Sequence, residues 1–153
     1  MALLLLLLGV LGSKSNKRYT VTKVVDGDTI HVRSGYAIIK VRLACIDSPE
    51  LKQPGGLEAK EALTTALGNN RVQLDITSID QYGRTVAEVY VNNTNVNKAM
   101  VFYGQAHFYE QYKDGCLNNV KEYQEASDYA RKSKMGLWAN DDVVAPWDWR
   151  REN

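Results

Sequence analysis

Three short segments of this sequence combine acidic and basic side chains that could bind a cation and a phosphate group. The segments are Asp26-Gly27-Asp28-Thr29, Arg42 with Asp47-Ser48-Pro49-Glu50, and Asp80-Gln81-Tyr82-Gly83-Arg84. Each one alone has an ordinary structural explanation, because Asp-Gly forms turns, Pro-Glu begins helices and Tyr-Gly-Arg fits a hairpin loop. A functional interpretation therefore requires that the three segments meet at one place in the fold.

The acidic residues favour a hard divalent cation held between two separate turns. An EF-hand loop is excluded, since Ile30 occupies the fifth position and no glutamate closes a loop of the required length. Asp28 and Asp47 could instead hold Ca²⁺ or Mg²⁺ together with a backbone carbonyl, which leaves positions for water and a phosphate oxygen. Carboxylates suit these ions rather than zinc, and paired Cys or His spacing is absent from the sequence.

The chemistry that such a cation would serve is phosphodiester cleavage. This reaction needs a water nucleophile, a group that orients or deprotonates the water, and positive charge near the phosphorane oxygens. Glu50 fits the second role, and Arg42 and Arg84 fit the third because a planar guanidinium can bind two phosphate oxygens at once. Arg42 and Asp47 are an odd number of residues apart, so a bend is expected near Ile46 to bring both to one face.

The elements that must position these residues are predicted to be short strands followed by helices. Runs rich in Val, Ile and Thr between Asp-Gly and Ser-Gly turns predict strands at 19–25, 29–32, 37–46, 71–79 and 86–91. Apolar residues at helical spacing predict helices at 57–67, 96–103 and 117–134, each with a glycine just beyond its end. Leu57, Leu63 and Leu67 are expected on the apolar face of the first helix. The order predicts an α+β fold, a five-stranded OB-fold barrel with three helices.

Length and composition describe one ordinary globular domain. The 153 residues are 44% hydrophobic and 24% charged, which excludes a disordered chain and a multi-span membrane protein. The formal net charge is only +1, so any polyanion must be bound by locally placed charges. We expect a domain over residues 19–140, followed by a tryptophan-rich tail over 141–153 that packs on it.

The N-terminal segment differs from the rest of the chain. Residues 1–12 are an uncharged run of Leu, Val, Ala and Gly, shorter than the roughly 20 apolar residues of a transmembrane helix. Val10-Leu11-Gly12 resembles a small-x-small cleavage site ahead of Ser13. We expect residues 1–18 to direct secretion or placement in the cell envelope, with a membrane tether through residues 1–12 as the alternative.

The cysteines and histidines carry no motif. Cys45 and Cys116 are the only two cysteines, too few for a zinc site or a disulfide framework. In an oxidising compartment they could pair; otherwise Cys45 is a small core residue and Cys116 an exposed thiol. For His31 and His107 we expect packing or surface positions rather than catalysis.

Taken together, the three segments resemble the signature elements of the staphylococcal nuclease family in order and spacing. The matching stretches are Val25-Asp26-Gly27-Asp28-Thr29, Arg42 to Glu50, and Asp80-Gln81-Tyr82-Gly83-Arg84, and the resemblance runs from about Tyr19 to Trp138. Residues 145–151 are similar to the tail of many bacterial members. The resemblance implies a nuclease that uses one Ca²⁺ ion to cleave DNA and RNA at the 5′ oxygen, leaving 3′-phosphate ends.

The same resemblance implies a set of cation ligands. Asp28 and Asp47 match the calcium-binding aspartates, with the carbonyl of Ser48 as a further ligand. Asp26 matches an acid that lies beside the metal without binding it. DNA and RNA are the implied partners; no stable protein partner is implied, and a monomer is expected.

The resemblance also implies roles in catalysis and substrate binding. Arg42 and Arg84 match the phosphate-binding arginines, and Glu50 matches the glutamate that acts as general base or orients the water. Tyr82 and Tyr112 match tyrosines that line the nucleotide pocket. Together these residues form the predicted active site.

Two other functions could use the same residues. One is a non-catalytic OB-fold module that binds nucleic acid or protein, as in nuclease-like repeats of Tudor-containing coactivators, but such repeats lack the full set of acids and arginines found here. The other is a Mg²⁺-dependent restriction-type nuclease that uses Asp47 and Glu50-Leu51-Lys52. Its spacing is too tight, and the sequence lacks the parallel α/β pattern.

Overall fold

A sheet of five long strands forms the body of the protein, whose structure, a computed structural model, describes residues 17–69 and 71–153. The long strands are β1 (Tyr19–Val24), β2 (Thr29–Ser34), β3 (Ala37–Leu43), β5 (Arg71–Ile79) and β6 (Thr85–Val91). They pair in the order β3-β2-β1-β5-β6, and a parallel pairing of β3 with β6 closes the sheet into a barrel. Closure leaves the long strands without an open edge between β3 and β6. The predicted α+β fold with a five-stranded OB-type barrel is confirmed.

Short strands and helices complete the fold. The short strands are β4 (Ile46–Asp47), β7 (Thr94–Asn95) and β8 (His107–Phe108), and 3-10 segments span Glu110–Cys116 and Gly136–Ala139. The α-helices are α1 (Gly56–Leu67), α2 (Val96–Phe102), α3 (Val120–Lys132) and α4 (Pro146–Glu152). The first three are the predicted helices, and α4 is additional. Pro146 suits the start of α4 because the first helical residue needs no amide hydrogen.

The helices cover the barrel with narrow apolar faces. On α1 the buried side chains are Ala59, Leu63 and Leu67, which are four residues apart and therefore share one face. Leu57 was expected on this face, and that expectation is wrong: the residue is 62% exposed. It lies two positions before Ala59, which on a helix points it away from the barrel.

A buried polar cluster joins α3 to the barrel. Glu88 of β6 is 3% exposed, and its carboxylate accepts 2.8 Å hydrogen bonds from the Tyr123 hydroxyl and the side-chain amides of Asn95 and Asn119. These bonds satisfy a buried charge that would otherwise be costly to desolvate. Burial and the Glu88 charge together raise the pKa of Tyr123, so its hydroxyl stays a hydrogen-bond donor.

Asn97, at the start of α2, fixes the corner that follows β3. Its side-chain oxygen accepts a 2.9 Å hydrogen bond from the Val89 amide, and its Nδ2 donates 3.0 Å bonds to the carbonyls of Ala44 and Ala87. Asn97 is fully buried, so each of these bonds replaces water that cannot reach the site. The position of Ala44 is thereby tied to the barrel.

Cys45 and Cys116 form a disulfide bond, with their Cα atoms 6.1 Å apart. The sequence left open whether these cysteines pair or remain free thiols, and in the structure they are paired. The bond connects the corner after β3 to the end of the 3-10 segment that carries Tyr112.

The N-terminal prediction lies outside the described residues, because the structure describes nothing before residue 17. Within residues 17–69 and 71–153, none of the helices combines the length and the apolar character required to span a bilayer.

Candidate active site

A sharp corner after β3 brings Arg42 and Asp47 together. Strand β3 ends at Leu43, Cys45 adopts a positive φ of 65°, and β4 then begins a new direction by pairing with β8. As a result, Nη2 of Arg42 lies 3.3 Å from Oδ1 of Asp47. The bend expected near Ile46 is confirmed, with its centre at the preceding residue.

Asp28 reaches the same corner from the turn between β1 and β2. Its Oδ2 accepts hydrogen bonds from the backbone amide of Ser48 at 2.8 Å and from the Ser48 hydroxyl at 3.0 Å. The same oxygen lies 3.3 Å from Nη2 of Arg42. Gly27 permits this close approach, since a Cβ on that residue would lie only 2.7 Å from the Cβ of Ser48. The first two acid-containing segments therefore meet in space.

The donor atoms at this corner suit a hard cation. Asp28 and Asp47 are 6% and 1% exposed, and both carboxylates contact the guanidinium group of Arg42, so two desolvated acids lie side by side at this corner. With the adjacent carbonyl of Ser48 they offer the oxygen ligands that Ca²⁺ and Mg²⁺ prefer. In the described part of the chain no cluster of three or more His, Cys, Asp or Glu side chains is arranged for a metal. Water and substrate would have to supply the remaining ligands.

The acids at the corner also perturb one another. Asp26 Oδ1 accepts a 3.0 Å hydrogen bond from the backbone amide of Asp28, so it orients the turn that carries the ligand. Burial, with the charge of Asp28, raises the pKa of Asp26 to about 6. Burial also raises the pKa of Asp47, against the opposing effect of hydrogen bonds from Arg150 and the charge of Arg42. A bound cation would offset this local excess of negative charge.

The third segment forms the turn between β5 and β6. Nε of Arg84 donates a 2.7 Å hydrogen bond to Oδ2 of Asp80, and the arginine also lies 5.4 Å from the ring centroid of Tyr82. Arg42 pairs with Val86 on the neighbouring strand, two residues after Arg84. Arg42 thus lies on β3 and Arg84 directly precedes the neighbouring strand β6, although the Arg84 side chain is bound to Asp80 rather than to the carboxylates of the corner.

The two predicted nucleotide-binding tyrosines have exposed rings. Tyr82 is 74% exposed and Tyr112 is 59% exposed. The ring of Tyr112 lies 4.7 Å from that of Tyr109, and the disulfide at Cys116 holds its 3-10 segment against the corner. Exposed aromatic rings beside a phosphate-binding site are suited to stacking on nucleic acid bases.

Arg150 of α4 is a residue of this site that the sequence analysis missed. Its Nη2 lies 2.7 Å from Oδ2 of Asp47, while its Nη1 lies 3.2 Å from Oδ1 of Asp47 and 2.8 Å from Oε1 of Glu50. Hydrogen bonds to both carboxylates raise the pKa of Arg150, so its charge is permanent. The similarity of residues 145–151 to the tails of bacterial nucleases was the one signal that pointed to this segment, and it did not indicate a contact with Glu50.

Aromatic stacking places α4 beside the corner. The ring of Trp147 stacks on Tyr109, with centroids 4.8 Å apart and an angle of 10° between the planes. Pro146 is buried, and Nε2 of Gln53 donates a 2.7 Å hydrogen bond to the carbonyl of Val144 just before the helix. These contacts explain why a helix of only seven residues has a defined position.

Several proteins with similar sequences are named nucleases or endonucleases. The sequence profile described as "Staphylococcal nuclease homologue" matches residues 40–140, more than half of the chain. The chain is 38% identical over 152 residues to an "Uncharacterized endonuclease" of Haemophilus influenzae, covering 97% of this chain and 83% of the relative. It is 36% identical over 143 residues to a "Micrococcal nuclease" of Shigella flexneri, covering 88% of this chain and 80% of the relative.

A plant relative extends the comparison. The chain is 30% identical over 154 residues to "Staphylococcal-like nuclease CAN1" of Arabidopsis thaliana, covering 91% of this chain and 45% of that longer protein. The barrel and these relatives define a nuclease, a hydrolase that acts on nucleic acid. This chain belongs to the staphylococcal nuclease homologue family.

Proposed function

We propose that this protein is a Ca²⁺-dependent nuclease that hydrolyses phosphodiester bonds of DNA and RNA on the side of the 5′ oxygen, leaving 3′-phosphate ends. The observation that carries the proposal is the position of Arg42, whose Nη2 lies 3.3 Å from the carboxylates of both Asp28 and Asp47. A phosphate-binding group and two cation ligands are thereby combined at one corner of the barrel.

The cation would be held by this chain's own oxygen atoms. The carboxylates of Asp28 and Asp47 and the carbonyl of Ser48 are the proposed ligands, and Asp26 holds the backbone of the turn in place through its 3.0 Å hydrogen bond. When bound, Ca²⁺ supplies Lewis-acid polarisation of a phosphate oxygen.

The arginines supply positive charge where the transition state gathers negative charge. Nη1 of Arg42 donates a 2.7 Å hydrogen bond to the carbonyl of Leu43, which fixes the plane of its guanidinium before substrate binds. Arg84 uses Nε toward Asp80, so its terminal nitrogens can bind two phosphate oxygens while that contact remains.

Glu50 is the proposed group that accepts a proton from the attacking water or orients it. Its side chain is 42% exposed, so water can reach it, and it lies in the same segment as Asp47 and Ser48. A carboxylate fixed near the scissile phosphate can act as a general base. Tyr82 and Tyr112 would stack on bases, which is compatible with both DNA and RNA because every base has an aromatic face.

We also propose that the protein works outside the cytoplasm as a monomer. The apolar residues 1–12 support export, with a membrane tether as the alternative. The disulfide between Cys45 and Cys116 supports an oxidising compartment, since such bonds are rare in proteins kept in reducing conditions.

A metal-dependence assay tests the proposal. Purified protein with Ca²⁺ should digest single- and double-stranded DNA and RNA, and a chelator should stop the digestion. The product ends report the bond that is cleaved: 3′-phosphates block extension by a polymerase until a phosphatase removes them. Cleavage that continues in chelator, or products with 3′-hydroxyl ends, would contradict this chemistry.

The Glu50→Gln variant tests the assigned residue. It should fold normally and bind nucleic acid, but its cleavage rate should fall by about 100-fold or more, as for loss of a general base. A wild-type protein that binds nucleic acid in Ca²⁺ without cutting it would instead favour the non-catalytic binding module.

A further inference from the structure

The carboxylate of Glu50 is held by the C-terminal helix α4. Within residues 17–69 and 71–153, the side chain in hydrogen-bond contact with this carboxylate is that of Arg150, with 2.8 Å between Nη1 and Oε1. The Glu50 side chain is 42% exposed. An exposed glutamate without such a partner samples several rotamers, so its carboxylate would be in a productive place for only part of the time.

Arg150 is itself fixed by a buried partner. Its two terminal nitrogens contact both oxygens of Asp47, at 2.7 Å and 3.2 Å, and the Asp47 side chain is 2% exposed. The planar guanidinium therefore connects the buried carboxylate of Asp47 to the exposed carboxylate of Glu50.

The backbone of Glu50 is connected to the same tail by a second route. The Gln53 side chain accepts a 3.1 Å hydrogen bond from the Glu50 amide at Oε1 and donates a 2.7 Å bond from Nε2 to the carbonyl of Val144. Gln53 is 5% exposed, so this bridge is shielded from water. Both the backbone and the side chain of Glu50 are thus bound to the segment that leads into and forms α4.

We propose that Arg150 is a positioning residue of the active site, which holds the Glu50 carboxylate beside the cation ligands Asp47 and Ser48. This rests on the proposed function, in which Glu50 handles the attacking water. Arg150 and a cation can share Asp47, because each carboxylate oxygen can accept from more than one partner. The C-terminal tail is then a part of the catalytic apparatus and not only a packed end of the chain.

The kinetics of Arg150 variants test this proposal in full-length protein with saturating Ca²⁺. Arg150→Gln should lower kcat by about 10- to 100-fold, the cost of a displaced catalytic group. KM for DNA should change little, because Arg150 does not bind substrate. Arg150→Lys should recover part of the loss and remains testable if the Gln variant does not fold. Arg151→Gln is the matched control, since that arginine contacts Asp148 on the same helix and should leave kcat unchanged.

A double-mutant cycle separates positioning from a general structural effect. In a Glu50→Gln background, Arg150→Gln should cause no further loss of kcat, because the residue through which it acts is already inactive. Thermal unfolding of the wild-type protein, the two single variants and the double variant is then measured in chelator. Non-additive changes in Tm would show that Arg150 and Glu50 interact in the absence of a cation.

The outcomes distinguish this inference from the proposed function. If the wild-type protein does not cleave nucleic acid, the proposed function fails. If the wild-type protein cleaves and Arg150→Gln has an equal or higher kcat, only the positioning role fails, and Arg150 is at most a competitor of the cation. The positioning role would also be overturned if the two losses of kcat multiplied in the double variant, or if the changes in Tm were additive.

Discussion

The carboxylate of Asp28 accepts a 2.8 Å hydrogen bond from the backbone amide of Ser48, a residue 20 positions further along the chain. This bond joins the turn between β1 and β2 to the segment after β4, and the carboxylate is 6% exposed. Two loops that belong to different parts of the barrel therefore form one site. The bond requires Gly27 and Ser48 to lie in close contact. A substitution that adds a side chain at residue 27 therefore tests it directly.

Gly27→Ala is expected to separate the two loops. The added Cβ would lie 2.7 Å from the Cβ of Ser48 and 2.6 Å from the Cβ of Ala59, both closer than side-chain carbons can approach. Overpacking of this kind costs about 1–3 kcal/mol. We expect a lower Tm and a higher Ca²⁺ concentration for half-maximal cleavage. If both quantities match those of the wild-type protein, the two loops do not depend on this contact.

Arg84→Lys tests whether the hairpin between β5 and β6 contributes to catalysis. A lysine keeps the charge but cannot bind two phosphate oxygens in one plane, so kcat should fall by about 100-fold. Its pairing with Asp80 is partly exposed, and loss of that pair should therefore change stability little. Arg71→Lys, at an exposed position on β5, is the matched control for the substitution itself. Equal rates for both variants would remove Arg84 from the active site.

Much of the fold and site was predictable because the relevant signals are local. The Asp-Gly turn at Asp26, the alternation in β5 and the glycine after α1 are each encoded within a few residues, and together they indicate the barrel. The resemblance to the family then predicted that Asp28, Arg42 and Asp47 act together. Their proximity depends on the corner at Cys45, whose approximate place was expected from the odd spacing alone.

The parts that were missed depend on contacts between distant residues. Arg150 contacts Asp47 across 103 positions, and an arginine in a tryptophan-rich tail has no periodicity or motif that indicates its partner. The pairing of Cys45 with Cys116, which the sequence left as one of two alternatives, likewise spans 71 residues. The prediction for Leu57 was wrong for a different reason. Leucine favours burial in general, but on α1 the positions that face the barrel are those of Ala59, Leu63 and Leu67, which are one turn apart.

The disulfide should contribute a large part of the stability. In the chain-entropy model, closing a loop of 71 residues stabilises the fold by about 4 kcal/mol. The double variant Cys45→Ala with Cys116→Ala should therefore unfold at a much lower denaturant concentration than the oxidised protein. Wild-type protein kept in a reducing agent should approach the same midpoint, whereas the reductant should not affect the double variant. An oxidised protein no more stable than the double variant would show that the bond is not formed in solution.

His107 should make the stability of the protein depend on pH. It is 4% exposed between the rings of Trp138 and Trp147, and its Nε2 has no hydrogen-bond partner among the described residues. Burial, with the charge of Arg131, lowers the pKa of His107 to about 4, while Asp148 acts weakly in the opposite direction. The histidine is therefore held neutral in the folded protein at pH values where the unfolded chain is protonated.

The sign of this effect follows from proton binding. Between the folded pKa of about 4 and the ordinary value of 6.5, the unfolded chain binds more protons, so the free energy of unfolding falls as the pH is lowered. The full contribution, about 3 kcal/mol, is present above pH 6.5 and is lost toward pH 4. His107→Phe removes the titrating group and should flatten this part of the curve, as measured by urea unfolding at several pH values. Carboxylates that titrate in the same range are present in both proteins, so their effect cancels when the two free energies of unfolding are subtracted. If the two curves of free energy against pH were parallel, His107 would titrate in the folded protein as it does in the unfolded chain.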